Sequence, residues 1–264
     1  MQSTLQLLMP EVAAGGYRIE YEWIDAQRSD APVIVFLHEG LGSVAMWKDF
    51  PARLCDATAC RGLVYSRYGY GRSDPLERPR DPRFMHDEAT IALPQLLDQL
   101  DVRSPILFGH SDGGSIALLH AALSGRAVSA AIVMAPHVFV EDLSITSIEA
   151  AKHAYETTDL RSRLARYHDD PDSAFRGWNE IWLHPDFRAW NIEDALPRIH
   201  CPILAMQGVD DEYGTMEQID RIARGATNTH VALVRIPECG HSPHRDQPQR
   251  VIDEVRLWLR RSAE

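Results

Sequence analysis

Three places in the chain carry side chains that can do chemistry together. Ser111 stands in GHSDG at 109–113, the acids Asp210, Asp211 and Glu212 follow the apolar run PILAMQG at 202–208, and His241 lies in VALVRIPECGHSPH at 231–244. A serine hydroxyl is a poor nucleophile until a base takes its proton, and the base needs a carboxylate to orient it. Serine, acid and histidine, met in that order, supply all three parts of a nucleophilic attack on an acyl carbon.

Such residues must be held by rigid elements, and the surrounding pattern supplies them. VIVFL at 33–37, PILFG at 105–109, AAIVMA at 130–135 and PILAMQG at 202–208 are apolar runs too short for helices, as expected of strands covered on both faces. Helix-like stretches lie between them. DEATIALPQLLDQL at 87–100 has helical spacing, with Pro94 set to kink or restart it, and SIALLHAAL is apolar nearly all round, which predicts a central helix. PQRVIDEVRLWLRR places Val251, Val255 and Trp258 on one face of a closing amphipathic helix. YRIEYEWID at 17–25 alternates, as an antiparallel hairpin at a sheet edge would. This alternation implies a doubly wound α/β domain whose sites sit at the strand C-terminal ends. From His137 to Leu196 no buried-strand run appears, while Phe139, Tyr155, Tyr167, Phe175, Trp178, Trp182, Phe187 and Trp190 are scattered among charges. The expected organisation is therefore a core of 1–136 and 197–264 with a helical lid inserted at 137–196.

GHSDG fits GxSxG between a buried strand and a buried helix, a turn so sharp that glycines must flank the nucleophile. Together with the order of the acid and His241, it makes the chain resemble the α/β-hydrolase superfamily over nearly its full length. The resemblance implies a mostly parallel sheet with helices on both faces. It also places the acid three residues after Gly208, at Asp211, with Asp210 and then Glu212 as fallbacks. It implies an oxyanion hole made from the N–H of Asp112 and one from the loop LHEGLGS at 37–43, that of Gly40 before that of Leu41. Glu39 stands in that loop where the family usually has glycine. YSRYGYGRSD at 65–74 looks like the family's RGxGxS turn, a structural signature more than a catalytic one.

For the Asp112 side chain two roles stay open, capping the helix or aiming with Glu39 at a substrate cation, as the SDGG form of the valacyclovir-hydrolase-like branch suggests. Trp178 and Trp182, four apart, share a helical face and read either as lid core or as a substrate wall. His38 and His110 are expected to brace the loops by hydrogen bonds. His137, His153, His168 and His184 read as surface or packing residues.

The 264 residues, 45% hydrophobic and 25% charged, suit one soluble domain, and the net charge of −11 argues against nucleic acid or an anionic membrane as partner. A small-molecule substrate is expected, with a homo-oligomer left open. MQSTLQLLMP lacks the basic lead of a signal peptide and the length of a membrane span, and Cys55, Cys60, Cys201 and Cys239 form no CxxC pair, so a cytoplasmic chain with reduced thiols is expected. HSPH lacks the helical HExxH arrangement, so no metal and no cofactor are expected. The resemblance implies a serine hydrolase acting on a small carboxylic ester or lactone. The alternatives are a carbon–carbon hydrolase of meta-cleavage products and a ligand receptor that kept the fold without catalysis.

Overall fold

The computed structural model describes residues 10–262 except Gln27 and Ser29. The stretch read above as neither signal nor membrane span falls, but for Pro10, outside the described residues. Among the described residues eight strands form one sheet: β1 (Glu11–Ala14), β2 (Tyr17–Ile24), β3 (Val33–Leu37), β4 (Arg61–Tyr65), β5 (Ile106–His110), β6 (Ala130–Met134), β7 (Ile203–Gly208) and β8 (Val231–Ile236). Their spatial order is β1-β2-β4-β3-β5-β6-β7-β8. β1, β2 and β4 pair antiparallel, and every pairing from β4 to β8 is parallel. The expected α/β architecture is the observed one, with the alternating segment forming a hairpin at the sheet edge.

The continuous apolar runs are explained by burial on both faces. Val35, Leu37 and Leu107 turn to one core, while Ile34, Phe36 and Phe108 turn to the other. The helix Asp112–Leu123 is buried through its first nine residues, Asp112 to His120, so its lack of a polar face in the sequence follows from its central position. Pro94 acts as a restart: a wide π-type turn over Glu88–Ala92 is followed by a new helix, Leu93–Gln99, that holds Pro94 in its first turn. The closing helix Pro248–Ser262 buries Val251, Ile252, Val255 and Trp258. No helix among the described residues is long and apolar enough to cross a membrane.

Between β6 and β7 the chain forms the helices Asp142–Thr157, Leu160–Leu164 and Pro171–Trp182, followed by two short 3₁₀ turns, Pro185–Ala189 and Glu193–Arg198. Phe175, Trp178, Trp182, Phe187 and Trp190 are buried there, Phe187 and Trp190 stacked with ring centroids 5.3 Å apart. Hydroxyls tie this segment to the loop after β7, as Ser144 donates to the Tyr213 carbonyl and Ser147 to that of Glu212, each at 2.5 Å.

The turn from β5 into the central helix is the tightest point of the fold. A Cβ on Gly113 would lie 2.0 Å from the Leu37 carbonyl oxygen, and one on Gly109 would lie 2.2 Å from that of Gly113. Both obstacles are backbone, which cannot swing aside. Gly113→Ala should therefore cost at least about 2 kcal/mol of stability in urea denaturation, since overpacking against fixed atoms has few relaxed solutions.

Buried histidines give the fold an acid limit. His120 donates from Nδ1 to the Ala89 carbonyl at 2.7 Å, and burial lowers its pKa from 6.5 to about 4. The unfolded chain takes up this proton near pH 6.5 and the folded chain only near 4, so stability is full above that window and falls as pH drops through it. Denaturation midpoints should decline between pH 6.5 and 4, and His120→Gln should flatten part of that decline.

Candidate active site

β5 ends at His110, and Ser111 follows with φ of 53° and ψ of −121°, a left-handed position that strains a residue bearing a Cβ. The strain is held by hydrogen bonds on both sides: the Ser111 N–H donates to the Met134 carbonyl at 2.9 Å, and the Ser111 carbonyl accepts from Gly114 N–H at 2.8 Å and Ser115 N–H at 3.1 Å. The side chain is thereby lifted off the sheet at the N-terminus of the central helix.

Asp211 and His241 come to it from the ends of β7 and β8. His241 Nε2 lies 2.9 Å from Ser111 Oγ, and His241 Nδ1 lies 2.8 Å from Asp211 Oδ1. Asp211 is held from behind, accepting from Gln207 Nε2 at 3.1 Å, Tyr213 N–H at 2.8 Å and Gly214 N–H at 3.3 Å. Burial works against its charge, but the bond to His241 and these N–H groups outweigh it and hold the carboxyl below its usual range. The two fallback acids are placed elsewhere. Asp210 is exposed, and Glu212 reaches back so that Oε2 accepts the His241 backbone N–H at 3.1 Å.

His110 and His38 brace these loops as expected. His110 Nε2 donates to the His241 carbonyl at 2.7 Å, and His38 Nε2 accepts the Arg67 N–H at 3.0 Å while Nδ1 donates to the Glu39 carbonyl at 2.7 Å. His244, from the HSPH stretch, packs against Trp47 and Phe50, with ring centroids 4.9 and 5.5 Å away. Cys55, Cys60 and Cys239 are buried, Cys201 is half-buried, and all four are free thiols.

Above Ser111 lies a cavity of about 230 Å³. Its walls are mostly apolar: Leu41, Met46, Ile148, Leu160, Leu164, Trp178, Trp182 and Tyr213, with Glu39, Glu212 and Arg245 at polar positions. Gly40 belongs to the same wall, and a Cβ there would fall 2.1 Å from Trp178 Cδ1, so the indole edge packs directly on the Gly40 backbone. Trp178 and Trp182 are both buried in the core and both on the cavity wall.

The structure gives the Asp112 side chain neither of the two roles left open for it. The Asp112 side chain is fully buried and makes no capping bond; Oδ1 accepts from Trp182 Nε1 at 3.1 Å and Oδ2 lies 3.9 Å from Arg67 Nη2. Its desolvation raises its pKa, and the nearby Arg67 counters this in part. Asp112 opens the helix, so its backbone N–H has no intrahelical partner and remains available as a donor. Glu39 does line the cavity, but its carboxylate is engaged by Arg245 Nη2 at 2.8 Å and lies 3.5 Å from His110 Nδ1. Burial opposes that charge, and His110 and Arg245 overcome it and keep the carboxyl well below its usual range.

His137, expected as a surface or packing residue, is buried and packs against Trp182 with ring centroids 4.9 Å apart, and its ring also lines the cavity 5.8 Å from that of His241. Burial, together with His241, lowers its pKa to about 3, so it is a neutral imidazole at ordinary pH. Its place directly after β6, at a strand C-terminal end, was the signal available.

Comparison with known proteins agrees with this geometry. A model of the alpha/beta hydrolase family matches residues 34–254. The chain is 26% identical over 245 residues to a putative carbamate hydrolase, RutD, of Pseudomonas savastanoi pv. phaseolicola, covering 84% of this chain and 91% of that one. It is 28% identical over 144 residues to the sn-1-specific diacylglycerol lipase ABHD11 of Danio rerio, a match that covers 54% of this chain and only 41% of the relative. Among solved structures, a thermophilic esterase from Thermogutta terrifontis superposes with a TM-score of 0.74 at 20% identity, covering 96% of this chain and 97% of the other. With its elbow, its sheet order and a family model spanning most of its length, the chain belongs to the alpha/beta hydrolase family.

Proposed function

We propose that the protein hydrolyses a small, uncharged carboxylic ester or lactone by way of an acyl-enzyme. The observation that carries this reading is the unbroken chain of hydrogen bonds from Asp211 through His241 to Ser111, 2.8 and 2.9 Å long, at the floor of an apolar cavity. His241 takes the Ser111 proton as Oγ attacks the substrate carbonyl carbon, and the buried Asp211 carboxylate steadies the imidazolium that forms. The N–H groups of Asp112 and Gly40 meet the negative oxygen of the tetrahedral intermediate. His241 returns the proton to the departing alkoxide, and water activated by the same imidazole then releases the acid and restores Ser111.

The walls favour a small and neutral substrate. A cavity of about 230 Å³ is smaller than the roughly 300–1,000 Å³ common for drug-sized ligands. The one acid nearest the Gly40 loop is already neutralised by Arg245. Trp178, Trp182, Ile148, Leu160 and Leu164 come from the 137–196 segment, which acts in this reading as a lid shaping the pocket. The putative carbamate hydrolases and the esterase among the similar proteins fit the same class of carbonyl chemistry.

Ser111→Ala should lower turnover of p-nitrophenyl acetate by at least about 10⁴-fold, and it should abolish labelling by a fluorophosphonate probe. Wild-type turnover by that variant would end the proposal, and a wild-type protein that the probe does not label would favour a non-catalytic receptor. Asp211→Asn should cost about 10⁴-fold in kcat, since a mispaired imidazole tautomer loses its orientation. Asp210→Asn and Glu212→Gln should each stay within about tenfold of wild type, because neither carboxylate touches the His241 ring.

A further inference from the structure

The loop that carries Gly40 is held by an unusually full set of bonds to one oxygen. The Glu39 carbonyl accepts from His38 Nδ1 at 2.7 Å, from Arg67 Nη2 at 2.9 Å and from the Gly42 N–H at 3.1 Å. There are no cis peptide bonds among the described residues. In a trans peptide the C=O and N–H point to opposite sides of one rigid plane. Pinning the Glu39 oxygen toward Arg67 therefore turns the Gly40 N–H away from Arg67, and Gly40 borders the cavity that holds Ser111.

Arg67 itself is fully buried and does not line that cavity. It also donates to the His38 carbonyl at 3.2 Å, so one guanidinium grips two successive carbonyls of the loop. A buried cation needs compensation. Asp112 Oδ2 supplies opposite charge at 3.9 Å, and the Tyr70 ring lies 4.9 Å from the guanidinium carbon. The other Asp112 oxygen holds the Trp182 indole N–H of the cavity wall. A continuous path thus runs from Trp182 through Asp112 and Arg67 to the Glu39–Gly40 peptide.

We propose that Arg67 is a positioning residue for transition-state stabilisation: with the Asp112 carboxylate as its counter-charge, it fixes the Glu39–Gly40 peptide so that the Gly40 N–H is aimed at the developing oxyanion. This rests on the acyl-enzyme reading above. Arg67 touches no reacting atom, so its contribution appears only when charge builds on the substrate oxygen. The turn at 65–74, read from sequence as a structural signature, acquires a part in rate through this one side chain.

The test uses the full chain with p-nitrophenyl butyrate, and with an alkyl boronic acid as a mimic of the tetrahedral intermediate. Arg67→Met removes the donors and the charge at similar volume. Per active site titrated with fluorophosphonate, its kcat should fall about 30- to 100-fold with KM within about threefold, because a misaimed oxyanion donor costs the transition state and not the ground state. Boronic acid affinity should weaken in parallel, and Arg67→Lys should recover part of both. A rise in KM at unchanged kcat, or a kcat within about threefold of wild type, overturns the proposal. If Arg67→Met does not fold, as judged by circular dichroism, Asp112→Asn decides: it keeps the backbone N–H, and a three- to tenfold lower kcat at constant KM is expected from about 1 kcal/mol of lost alignment, while an unchanged kcat refutes it. Ser111→Ala separates the two levels. Full activity in that variant defeats the acyl-enzyme reading itself, whereas an inactive Ser111→Ala beside an unimpaired Arg67→Met defeats only the role of Arg67.

Discussion

The approach of the central helix to the sheet governs everything above it. Gly113 rests so close to the Leu37 carbonyl that no side-chain atom fits between them, and this contact sets the depth at which the helix Asp112–Leu123 begins. The chain has to turn from strand to helix within one residue, and that residue is Ser111 with its positive φ. A strained conformation of this kind costs about 1–3 kcal/mol and persists only where its surroundings leave no alternative. Here β6 takes the Ser111 N–H and the helix takes its carbonyl, so the hydroxyl is raised to meet His241 without freedom to retreat.

The interior charges follow a second constraint, that buried ions must be answered locally. Asp211 is answered by His241 and two backbone N–H groups, Asp112 by Arg67 and the Trp182 indole, and Glu39 by Arg245 and His110. These three buried carboxylates are thus committed to the protein, whereas Glu212 on the cavity wall is exposed and its carboxylate accepts the His241 N–H. What a ligand meets is a mostly apolar volume with a neutral imidazole, His137, and the charged groups of Glu212 and Arg245 on its wall. Electrostatic work in such a site falls to backbone dipoles, which are oriented by the fold and need no reorganisation as charge develops.

Much of this was legible in the sequence, and the boundary has a physical reason. Strands buried on both faces leave continuous apolar runs, which is why β3, β5, β6 and β7 could be read almost to the residue, and why the break at GHSDG stood out. The acid at position 211 followed from the resemblance to the α/β-hydrolase superfamily, whose pattern sets it three residues after Gly208, and it is the one that meets His241. The facing of Asp112 and Glu39 was not legible, because their partners are brought from far away by the fold. Trp182 is 70 residues from Asp112, and Arg245 is 206 residues from Glu39. Local pattern fixes which elements form, whereas the direction of a polar side chain depends on which distant element arrives beside it. That His137 faces the cavity was hidden for the same reason, since it is one histidine among several at the start of a segment without strand rhythm.

The segment between β6 and β7 touches the core at unusually sensitive places. Trp178 lies on the bare backbone of Gly40, Trp182 holds the Asp112 carboxylate, and the hydroxyls of Ser144 and Ser147 hold the carbonyls beside Asp211. These helices are therefore not an interchangeable cover laid over a finished machine. In a lineage that diversified by exchanging this segment, a new pocket would arrive together with new supports for the Gly40 and Asp211 loops. Changes of substrate and changes of rate would then be inherited as one trait, and recombination at the ends of β6 and β7 would succeed only when the incoming helices restored all four contacts.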